Sequence, residues 1–387
     1  MGSQESYRKR GVDYEVPGEM LTLPGHYYHS QEIYREELEK IFLRRWLLAC
    51  REEEIARPGD FVTFPVGDES LIVVRDRDGA VRAHFNVCRH RGTRICAEAQ
   101  GHFEAGRITC PYHAWQYDLS GRLEAAPLMK EVHGFDRADF PLHAAHVATW
   151  GGFVFVNLAE DPVSFESQMG PLIGKFKDWH LADLRIAHKI EYQLQCNWKI
   201  ILQNYQECYH CPGVHPLLSE WTPFRGAVHD CMEGAVIGGY MEMTKPRGSM
   251  TMDGEAAAPP VCNVSGPDLQ RIHYYSIFPN VLLSPHPDFV LYHRIRSLAV
   301  DRILTDCYFL LHPETIRQPE LMKRFQSAIE FWDLTNRQDW QVCEQMQQGL
   351  RSRRFTRGRY STQEDMLYAI DREVLRSLGH VEPRQGE

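Results

Sequence analysis

Two cysteine–histidine pairs constrain the fold of this 387-residue chain more than any other feature. The first pair has the spacing C-x-H at Cys88 and His90, and the second has C-x-x-H at Cys110 and His113, with residues 91–109 between them. Each pair presents one thiolate and one imidazole from a tight loop. Because two such loops that face each other offer two sulfur and two nitrogen ligands, the sequence predicts a metal site for iron or zinc.

The segment around these pairs is typical of a β-rich module. Apolar runs predict strands at 61–66, 71–74, 81–87 and 153–158. An Asp-Gly pair at 78–79 and a Ser-Gly pair at 120–121 predict hairpin turns. A structural zinc ion is the alternative for the four ligands, although zinc-binding pairs usually lie two to four residues apart and the ββα pattern of a zinc finger is missing.

The four ligands resemble the Rieske fingerprint, in which two cysteines hold one iron of a [2Fe–2S] cluster and two histidines hold the other. By this resemblance, Cys88 and Cys110 bind one iron, and His90 and His113 bind its neighbour. Neutral imidazoles in place of thiolates raise the reduction potential to roughly −150 to +300 mV. Such a cluster accepts electrons from a low-potential donor and passes them on one at a time.

A second group of candidate ligands lies on a helix that is predicted over about 197–211. Glu207 and His210 are three residues apart and therefore share one face of that helix. His215 would point about 140° away from His210 on a straight helix. The Pro-Gly pair at 212–213 can break the helix, so His215 can return to share an ion with His210.

Other interpretations of this segment remain open. Two histidines on a polar helix face frequently form nothing more than a solvated surface. Cys208 and Cys211 form a C-x-x-C pair that fits a redox couple or half of a zinc site. An electron carrier or a zinc-stabilised binding protein is therefore a further hypothesis.

A third ligand is expected on a long helix that follows Pro319 and ends near Gly349. A four-three spacing predicts that its buried face consists of Phe325, Ile329, Trp332, Asn336, Asp339, Cys343, Met346 and Leu350. A buried Asp339 carboxylate needs a partner, which is either a metal ion or an Arg or Lys of another helix. Asp333 and Glu344 lie off this face. Two histidines and one carboxylate form the facial triad that binds non-haem Fe(II) and leaves positions open for O2.

Taken together, the two ligand groups resemble the large (α) subunit of a Rieske non-haem iron oxygenase over nearly the whole chain. By this resemblance, His210, His215 and Asp339 hold the mononuclear Fe(II). The implied fold class is α+β, with an all-β Rieske domain inserted beside a larger α+β catalytic domain whose antiparallel sheet is covered by helices. Three domains are expected. Residues 1–48 form a helical N-terminal segment that packs on the catalytic domain. Residues 49–160 form the Rieske domain, and residues 161–387 form the catalytic domain. A helical pattern at 33–46 belongs to the first of these.

Family members have an acidic residue three positions before the first iron-binding histidine, and here that residue is Glu207. The resemblance implies that Glu207 links His113 of a neighbouring subunit to His210, which in turn implies a head-to-tail homotrimer. Many ring-hydroxylating members have Asp at this position. Glu207 is therefore a departure, with a side chain one methylene longer.

Glu207, the phrase Asn197-Trp198-Lys199 and the segments 207–212 and 277–280 are more similar to the branch that acts on choline, glycine betaine, carnitine and proline betaine. The resemblance implies hydroxylation or N-demethylation of a small quaternary amine. Dihydroxylation of an aromatic ring or O-demethylation of an aromatic acid is the alternative within the same family. Where this branch often has Glu just before Asn204, this chain has Gln203.

Composition limits the partners of the chain. Its 43 Lys and Arg residues against 52 Asp and Glu residues, a net charge of −9, argue against binding to nucleic acid. No apolar window reaches the ~20 residues that span a membrane, and no apolar segment follows the basic residues near the N-terminus, so a cytoplasmic location is expected.

Eleven cysteines without a signal sequence favour metal or redox chemistry over disulfides. No G-x-G-x-x-G fingerprint follows a predicted strand, so electrons must come from a separate NAD(P)H-dependent reductase, with O2 and a small molecule as substrates.

Overall fold

The computed structural model of the protein describes residues 7–9, 12–14 and 20–381. The chain divides into two compact units. One, called here the β unit, is Phe42–Val163, and the other, called the mixed unit, comprises Met1–Ile41 and Ser164–Glu387. The mixed unit is therefore assembled from both ends of the chain.

The N-terminal part of the mixed unit contains a short strand pair and a helix, namely β1 (Tyr7–Lys9), β2 (Val12–Tyr14) and α1 (Gln31–Glu37). The Ser30 side chain caps α1 by accepting a hydrogen bond from the Ile33 N–H at 3.4 Å. A π-helical turn continues α1 over Leu38–Phe42. The helix predicted over 33–46 is therefore present but ends at Phe42, because the chain then enters the first strand of the β unit.

The β unit consists of short antiparallel strands, with a seven-stranded and a three-stranded sheet. Its strands are β3 (Leu47–Arg51), β4 (Asp60–Val66), β5 (Glu69–Arg75), β6 (Val81–Phe85), β7 (Gln100–His102), β8 (Arg107–Thr109), β9 (Gln116–Asp118), β10 (Leu123–Ala125), β11 (Ala144–Trp150) and β12 (Phe153–Asn157). The larger sheet has the order β3-β12-β11-β6-β5-β4-β7, and the smaller has the order β10-β9-β8.

Both predicted hairpin turns are present in the β unit. Gly79 links β5 to β6 with φ +84°, and Gly121 links β9 to β10 with φ +90°. Glycine adopts these positive φ values without the steric cost that a Cβ atom brings. The strand predicted at 153–158 is β12, which is buried along its whole length.

The mixed unit continues after the β unit with one large sheet and its covering helices. Its remaining elements are α2 (Phe165–Met169), β13 (Arg185–Leu194), α3 (Trp198–Tyr205), α4 (Cys211–Val214), α5 (Pro216–Trp221), β14 (Val228–Cys231), β15 (Val236–Glu242), β16 (Arg271–Ile277), β17 (Val281–Pro285), β18 (Val290–Ala299), β19 (Arg302–Leu311), α6 (Pro313–Ile316), α7 (Pro319–Gly349) and α8 (Asp365–Leu378). The sheet is antiparallel throughout, in the order β13-β19-β18-β17-β16-β15-β14. Helix α3 contacts α7, α8 and the sheet strands β16 and β18. The expected fold class, a β module with an α+β domain whose antiparallel sheet carries helices, is confirmed.

Buried polar contacts fix α3 in the mixed unit. The Lys199 ammonium and the Glu37 carboxylate form an ion pair in which neither side chain is exposed. The Gln203 amide donates to Tyr28 Oη at 2.8 Å and to Asp371 Oδ1 at 2.6 Å. A Glu at position 203 would place its carboxylate against that of Asp371, so the amide is the side chain that this surrounding requires.

Candidate metal centres

The two loops of the β unit that carry the predicted cluster ligands have the same backbone geometry. In each loop the cysteine N–H donates to the carbonyl five residues ahead, at 2.8 Å for both Cys88 and Cys110. The cysteine carbonyl accepts from the N–H four residues ahead, at 3.0 Å and 3.1 Å. That fourth residue has a positive φ in both loops, +73° at Gly92 and +55° at Ala114. The sequence therefore builds two equivalent turns, each beginning at a thiol.

The cysteines and histidines of these loops differ in depth. Cys88 and Cys110 belong to the core of the β unit and are 3% and 2% exposed, whereas His90 is exposed and His113 is partly exposed. The two imidazole rings lie 4.7 Å apart between centroids, and His90 stacks on Trp115. The sulfur atoms thus face the interior and the imidazoles face the surface.

The four ligands form two pairs that suit a cluster of two irons. The Cys88 and Cys110 thiols interact with each other in the core, and the His90 and His113 rings face each other with centroids 4.7 Å apart. In a [2Fe–2S] cluster of this type, two cysteines hold one iron and two histidines hold the other.

The chain around the second ligand group is not one continuous helix, so the helix predicted over 197–211 is too long. Helix α3 ends at Tyr205, and Gln206 follows with φ −96° and ψ 11°. The Glu207 carboxylate accepts hydrogen bonds from the backbone N–H groups of Tyr209 and His210. An acidic side chain that binds the backbone in this way competes with helical hydrogen bonds and starts a new turn.

His210, His215 and Asp339 lie together in the mixed unit, with one ligand atom of each within 4.8 Å of the others. The Nε2 atoms of His210 and His215 lie 3.3 Å and 2.8 Å from Asp339 Oδ1. Asn204 Nδ2 donates to the same oxygen at 2.9 Å. Two imidazole nitrogens and one carboxylate oxygen on one side of a cavity fit a facial triad for Fe(II).

Both imidazoles are held in the orientation that a metal ligand needs. His210 Nδ1–H donates to the Glu207 carboxylate, and His215 Nδ1–H donates to Gln338 Oε1 at 2.8 Å. Each ring therefore directs Nε2 at the site, because its other nitrogen is held by a hydrogen bond on the far side. Sequence reasoning missed Asn204 and Gln338. Gln338 directly precedes Asp339, but neighbouring helix positions lie 100° apart, so the helical pattern does not indicate a shared role.

In this geometry the carboxylates and the imidazoles stabilise each other's charged forms. Burial would raise the pKa of Asp339, but hydrogen bonds from His210 and His215 outweigh it and lower that pKa to about 2. Burial would lower the pKa of His210, but the Asp339 and Glu207 carboxylates outweigh it and raise that pKa to about 10. A cation is thus stabilised between these carboxylates.

Asp339 occupies the predicted buried face of α7, with one correction to that face. Phe325, Trp332, Asn336, Cys343 and Leu350 are buried, as expected. Met346 is 42% exposed, and the next residue, Gln347, is buried instead. Gln347 accepts from the Asn197 N–H at 2.8 Å and donates to the Tyr28 carbonyl at 3.1 Å, which requires a polar side chain there.

The acids that lie off the predicted face of α7 are outside the triad. Asp333 accepts from Tyr192 Oη at 2.7 Å and pairs with Arg337. Glu344 accepts from the backbone N–H of Gln195 at 2.8 Å. Asp339 itself pairs with histidines rather than with the Arg or Lys that the alternative interpretation requires.

Cys208 and Cys211 form a disulfide that flanks His210. The structure thus has a disulfide where the sequence favoured metal or redox chemistry, and the interpretation of this C-x-x-C pair as a redox couple remains compatible with it. Because both sulfurs are bonded to each other, the C-x-x-C pair is not half of a zinc site.

The triad opens into a cavity of the mixed unit that is rich in aromatic side chains. The aromatic residues that line it are Tyr205, Phe224, Tyr240, Tyr274, Trp332 and Trp340. Among the described residues, no Lys or Arg lines it. Burial lowers the pKa of His293, which also lines the cavity, to about 4, so this ring is neutral. The cavity therefore combines carboxylates and aromatic faces.

Two family models match the chain. The model of the Rieske [2Fe–2S] domain matches residues 45–136, and the model of the ring hydroxylating alpha subunit (catalytic domain) matches residues 181–380. The chain therefore belongs to the family of ring hydroxylating alpha subunits and is a Rieske non-haem iron oxygenase. The family assignment confirms the predicted cofactors, a [2Fe–2S] cluster and a mononuclear iron.

Relatives and solved structures match along most of the chain. The carnitine monooxygenase oxygenase subunit of Escherichia coli (strain K12) is 30% identical over 345 residues, which cover 87% of this chain and 86% of that protein. The glycine betaine monooxygenase oxygenase subunit of Pseudomonas aeruginosa (strain UCBPP-PA14) is 28% identical over 379 residues, which cover 88% and 85%. The crystal structure of the quaternary ammonium Rieske monooxygenase CntA matches with a TM-score of 0.79 at 24% identity and covers 94% of this chain and 96% of that one, which shows a shared fold.

Among the described residues, no helix has the length and apolar character to cross a membrane.

Proposed function

We propose that this chain is the oxygenase component that uses O2 and electrons from a separate reductase to hydroxylate or N-demethylate a small quaternary amine. The observation that carries the proposal is the position of the His210, His215 and Asp339 side chains at an aromatic cavity without Lys or Arg among its described lining residues. Two relatives are named as glycine betaine and carnitine monooxygenase oxygenase subunits, which supports the same substrate class.

The charge of the cavity favours a cationic substrate. Glu207 and Asp339 contribute carboxylates, and aromatic faces attract an ammonium group by about 0.5 to 2 kcal/mol per ring. The rings do not all serve this purpose. The Arg271 guanidinium lies 4.3 Å from the centroid of the Tyr240 ring and already covers it. Tyr240 is therefore a weaker candidate for contact with an ammonium group than the other rings of the cavity.

The proposal assigns the cluster to Cys88, His90, Cys110 and His113 and the mononuclear iron to His210, His215 and Asp339. A bound Fe(II) would supply open positions for O2 activation, with two electrons and two protons consumed per oxygen atom inserted. The chain itself orients both histidines, holds the Asp339 carboxylate through Asn204 and encloses the substrate. Hydroxylation of an N-methyl group gives a carbinolamine that collapses to formaldehyde and the demethylated amine.

The proposal also includes the domains 1–48, 49–160 and 161–387, a cytoplasmic location, an NAD(P)H-dependent reductase and a homotrimer in which Glu207 links subunits. Glu207 is suited to such a role because its carboxylate already holds the Nδ1–H of His210. Light scattering should give three times the 44.9 kDa of one chain. A monomeric protein with full activity would contradict the trimer.

The proposed function is tested by a substrate panel with an added reductase, in which O2 uptake and formaldehyde release are measured together. Glycine betaine, choline and carnitine are compared with aromatic acids. Formaldehyde release in proportion to O2 uptake with an N-methyl amine is the expected result. Coupled O2 uptake with an aromatic acid alone would assign the chain to the aromatic-ring branch instead.

A further inference from the structure

A disulfide lies in the wall of the cavity that holds the triad. Cys208 and Cys211 are bonded to each other, stand on either side of His210 in the chain, and both line this cavity. Among the described lining residues they are the sole cysteines. The Cys211 sulfur lies 3.9 Å from His210 Nε2, the ring nitrogen that is directed at Asp339. The disulfide therefore borders the same space in which O2 and substrate would meet.

A structural role does not account for this disulfide. It joins residues three positions apart, and so short a bridge removes little freedom from the unfolded chain. Backbone hydrogen bonds already close the turn. The Cys211 N–H donates to the Cys208 carbonyl at 3.2 Å, and the His215 N–H donates to the Cys211 carbonyl at 2.7 Å. The bridge thus adds little stability to a turn that these hydrogen bonds hold.

Two other cysteines near the triad differ from this pair in access. Cys307 and Cys343 are 0% and 2% exposed, and neither is among the residues that line the cavity. Burial raises the pKa of both thiols, which keeps them protonated and unreactive. Cys208 is partly exposed, and the next residue, Tyr209, is 57% exposed. The pair is therefore open to the cavity and, at Cys208, also to the surface.

The proposed reaction supplies an oxidant at this place. It brings O2, two electrons and two protons to the cavity. When no oxygen atom is inserted into a substrate, the same O2, electrons and protons make hydrogen peroxide. Peroxide oxidises accessible thiols, and a second thiol close by converts the first product to a disulfide. Two cysteines that border the cavity are suited to this chemistry.

We propose that Cys208 and Cys211 form a redox site that reduces hydrogen peroxide in the cavity to water and that a dithiol reductant restores. The inference rests on the proposed function for the source of the peroxide. The structure shows the oxidised, disulfide state of the site.

The cycle of this site has three steps. One thiol sulfur attacks a peroxide oxygen, so that an S–O bond forms, the O–O bond breaks, water leaves and a sulfenic acid remains. The second thiol attacks that sulfur, so that the S–S bond forms, the S–O bond breaks and a second water leaves. A dithiol then attacks the Cys208 sulfur, the S–S bond breaks, and the dithiol leaves as its own disulfide after giving two electrons and two protons to the pair.

The first test adds hydrogen peroxide to the complete protein after reduction by dithiothreitol. Trypsin releases residues 200–225 as one peptide that holds both cysteines of the site, and residues 338–351 as a peptide that holds Cys343 as an internal control. Mass spectrometry after thiol alkylation should show oxidation of the first peptide at least about 10-fold faster than oxidation of the second. Cys208→Ser or Cys211→Ser should stop at a sulfenic acid that dimedone traps, whereas Cys343→Ser should still form the disulfide.

The second test generates peroxide in the cavity itself. The reduced protein is supplied with its reductase and O2 but no substrate, and catalase removes peroxide from bulk solution. The disulfide should form in the unmodified protein. Asp339→Ala, which should not consume O2, should keep its dithiol in this assay and still form the disulfide with added peroxide. The two tests therefore separate the redox site from the proposed function.

Three results would overturn the redox site. Oxidation of Cys343 as fast as that of the pair would show that the pair has no special reactivity. A disulfide that dithiothreitol does not reduce in the folded protein would show a structural bridge. Complete protection by catalase would show that peroxide reaches the pair from bulk solution alone. If no compound stimulates O2 uptake but added peroxide still forms the disulfide, the proposed function fails and the reactivity of the pair stands.

Discussion

The two metal centres are built from opposite kinds of chain geometry. The predicted cluster ligands come from two turns whose hydrogen bonds close within six residues. The triad joins His215 to Asp339, which is 124 residues further along the chain. The first centre depends on local backbone conformation, whereas the second depends on how α7 packs on the sheet and on α3. Substitutions should therefore remove one centre without removing the other.

The largest effect is expected from Cys110→Ala, which deletes a proposed cluster ligand. Iron should fall from about three to about one atom per chain, and oxygenation should stop because electrons no longer enter. Metal analysis and electron paramagnetic resonance of the reduced protein measure both losses. Cys96→Ala is the matched control, since Cys96 lies in the same core and burial raises the pKa of its thiol to about 12. Loss of the mononuclear iron together with the cluster would contradict the independence of the two centres.

Asp339→Ala should remove the mononuclear iron and leave the cluster. About two irons per chain should remain, with an unchanged resonance signal from the reduced cluster and no substrate-dependent O2 uptake. Asp333→Ala serves as control because Asp333 lies on the same helix and contacts Tyr192 and Arg337 instead of the triad. Full activity of Asp339→Ala would exclude this carboxylate as a ligand.

Gln203→Glu should destabilise the mixed unit in a pH-dependent way. Burial raises the pKa of Asp371 to about 7 against the hydrogen bonds from Tyr360 and Gln203, and a second carboxylate would raise it further. A carboxyl group with a raised folded-state pKa contributes stability at low pH that is lost as the pH rises through that pKa. We expect the free energy of unfolding to fall by about 3 kcal/mol at pH 8 and by less at pH 6. Urea denaturation at both pH values measures it, and equal losses would contradict the facing carboxylates.

Gln338→Ala should weaken iron binding without abolishing it. Removing the acceptor of His215 Nδ1–H frees the ring to rotate, and the loss of such a partner typically costs 10- to 100-fold in metal affinity, or about 1.4 to 2.8 kcal/mol. Titration of the iron-depleted protein with Fe(II) measures the affinity. Gln341→Ala, at an exposed position of the same helix, should bind iron as tightly as the unmodified protein.

The smallest effects concern the two equivalent turns of the β unit. Gly92→Ala should destabilise the β unit by about 1 kcal/mol, because its φ of +73° is unfavourable for a residue with a Cβ atom. Ala114→Gly, at φ +55°, should not destabilise it and should gain up to about 1 kcal/mol. Thermal unfolding of the β unit compares the two. If both substitutions change the unfolding temperature in the same direction, the two turns are not equivalent.

Local features of the fold could be predicted from the sequence, and non-local ones could not. The turns at Gly79 and Gly121 and the long helix α7 follow from residue type and periodicity. Strand β19 was not predicted, although it lies between β13 and β18 in the large sheet. Its place depends on pairing with β13 and β18, which no local pattern records.

The candidate site shows the same limit. The sequence predicts that His210, His215 and Asp339 share an ion, and the structure brings them together. The end of α3 was missed because the Glu207 side chain binds backbone N–H groups, which helical periodicity does not indicate. His229, Gly239 and Tyr274 line the cavity side by side because strand register pairs them across β14, β15 and β16, which no local sequence pattern records.

The buried pair of Glu37 and Lys199 has a consequence for biosynthesis. The two residues are separated by 162 positions, and the complete β unit lies between them in the chain. At 5 to 20 residues per second, a ribosome needs about 8 to 32 s to deliver the lysine after the glutamate. The whole β unit leaves the ribosome within that interval, so it can fold before the helix that carries Glu37 finds its counter-charge.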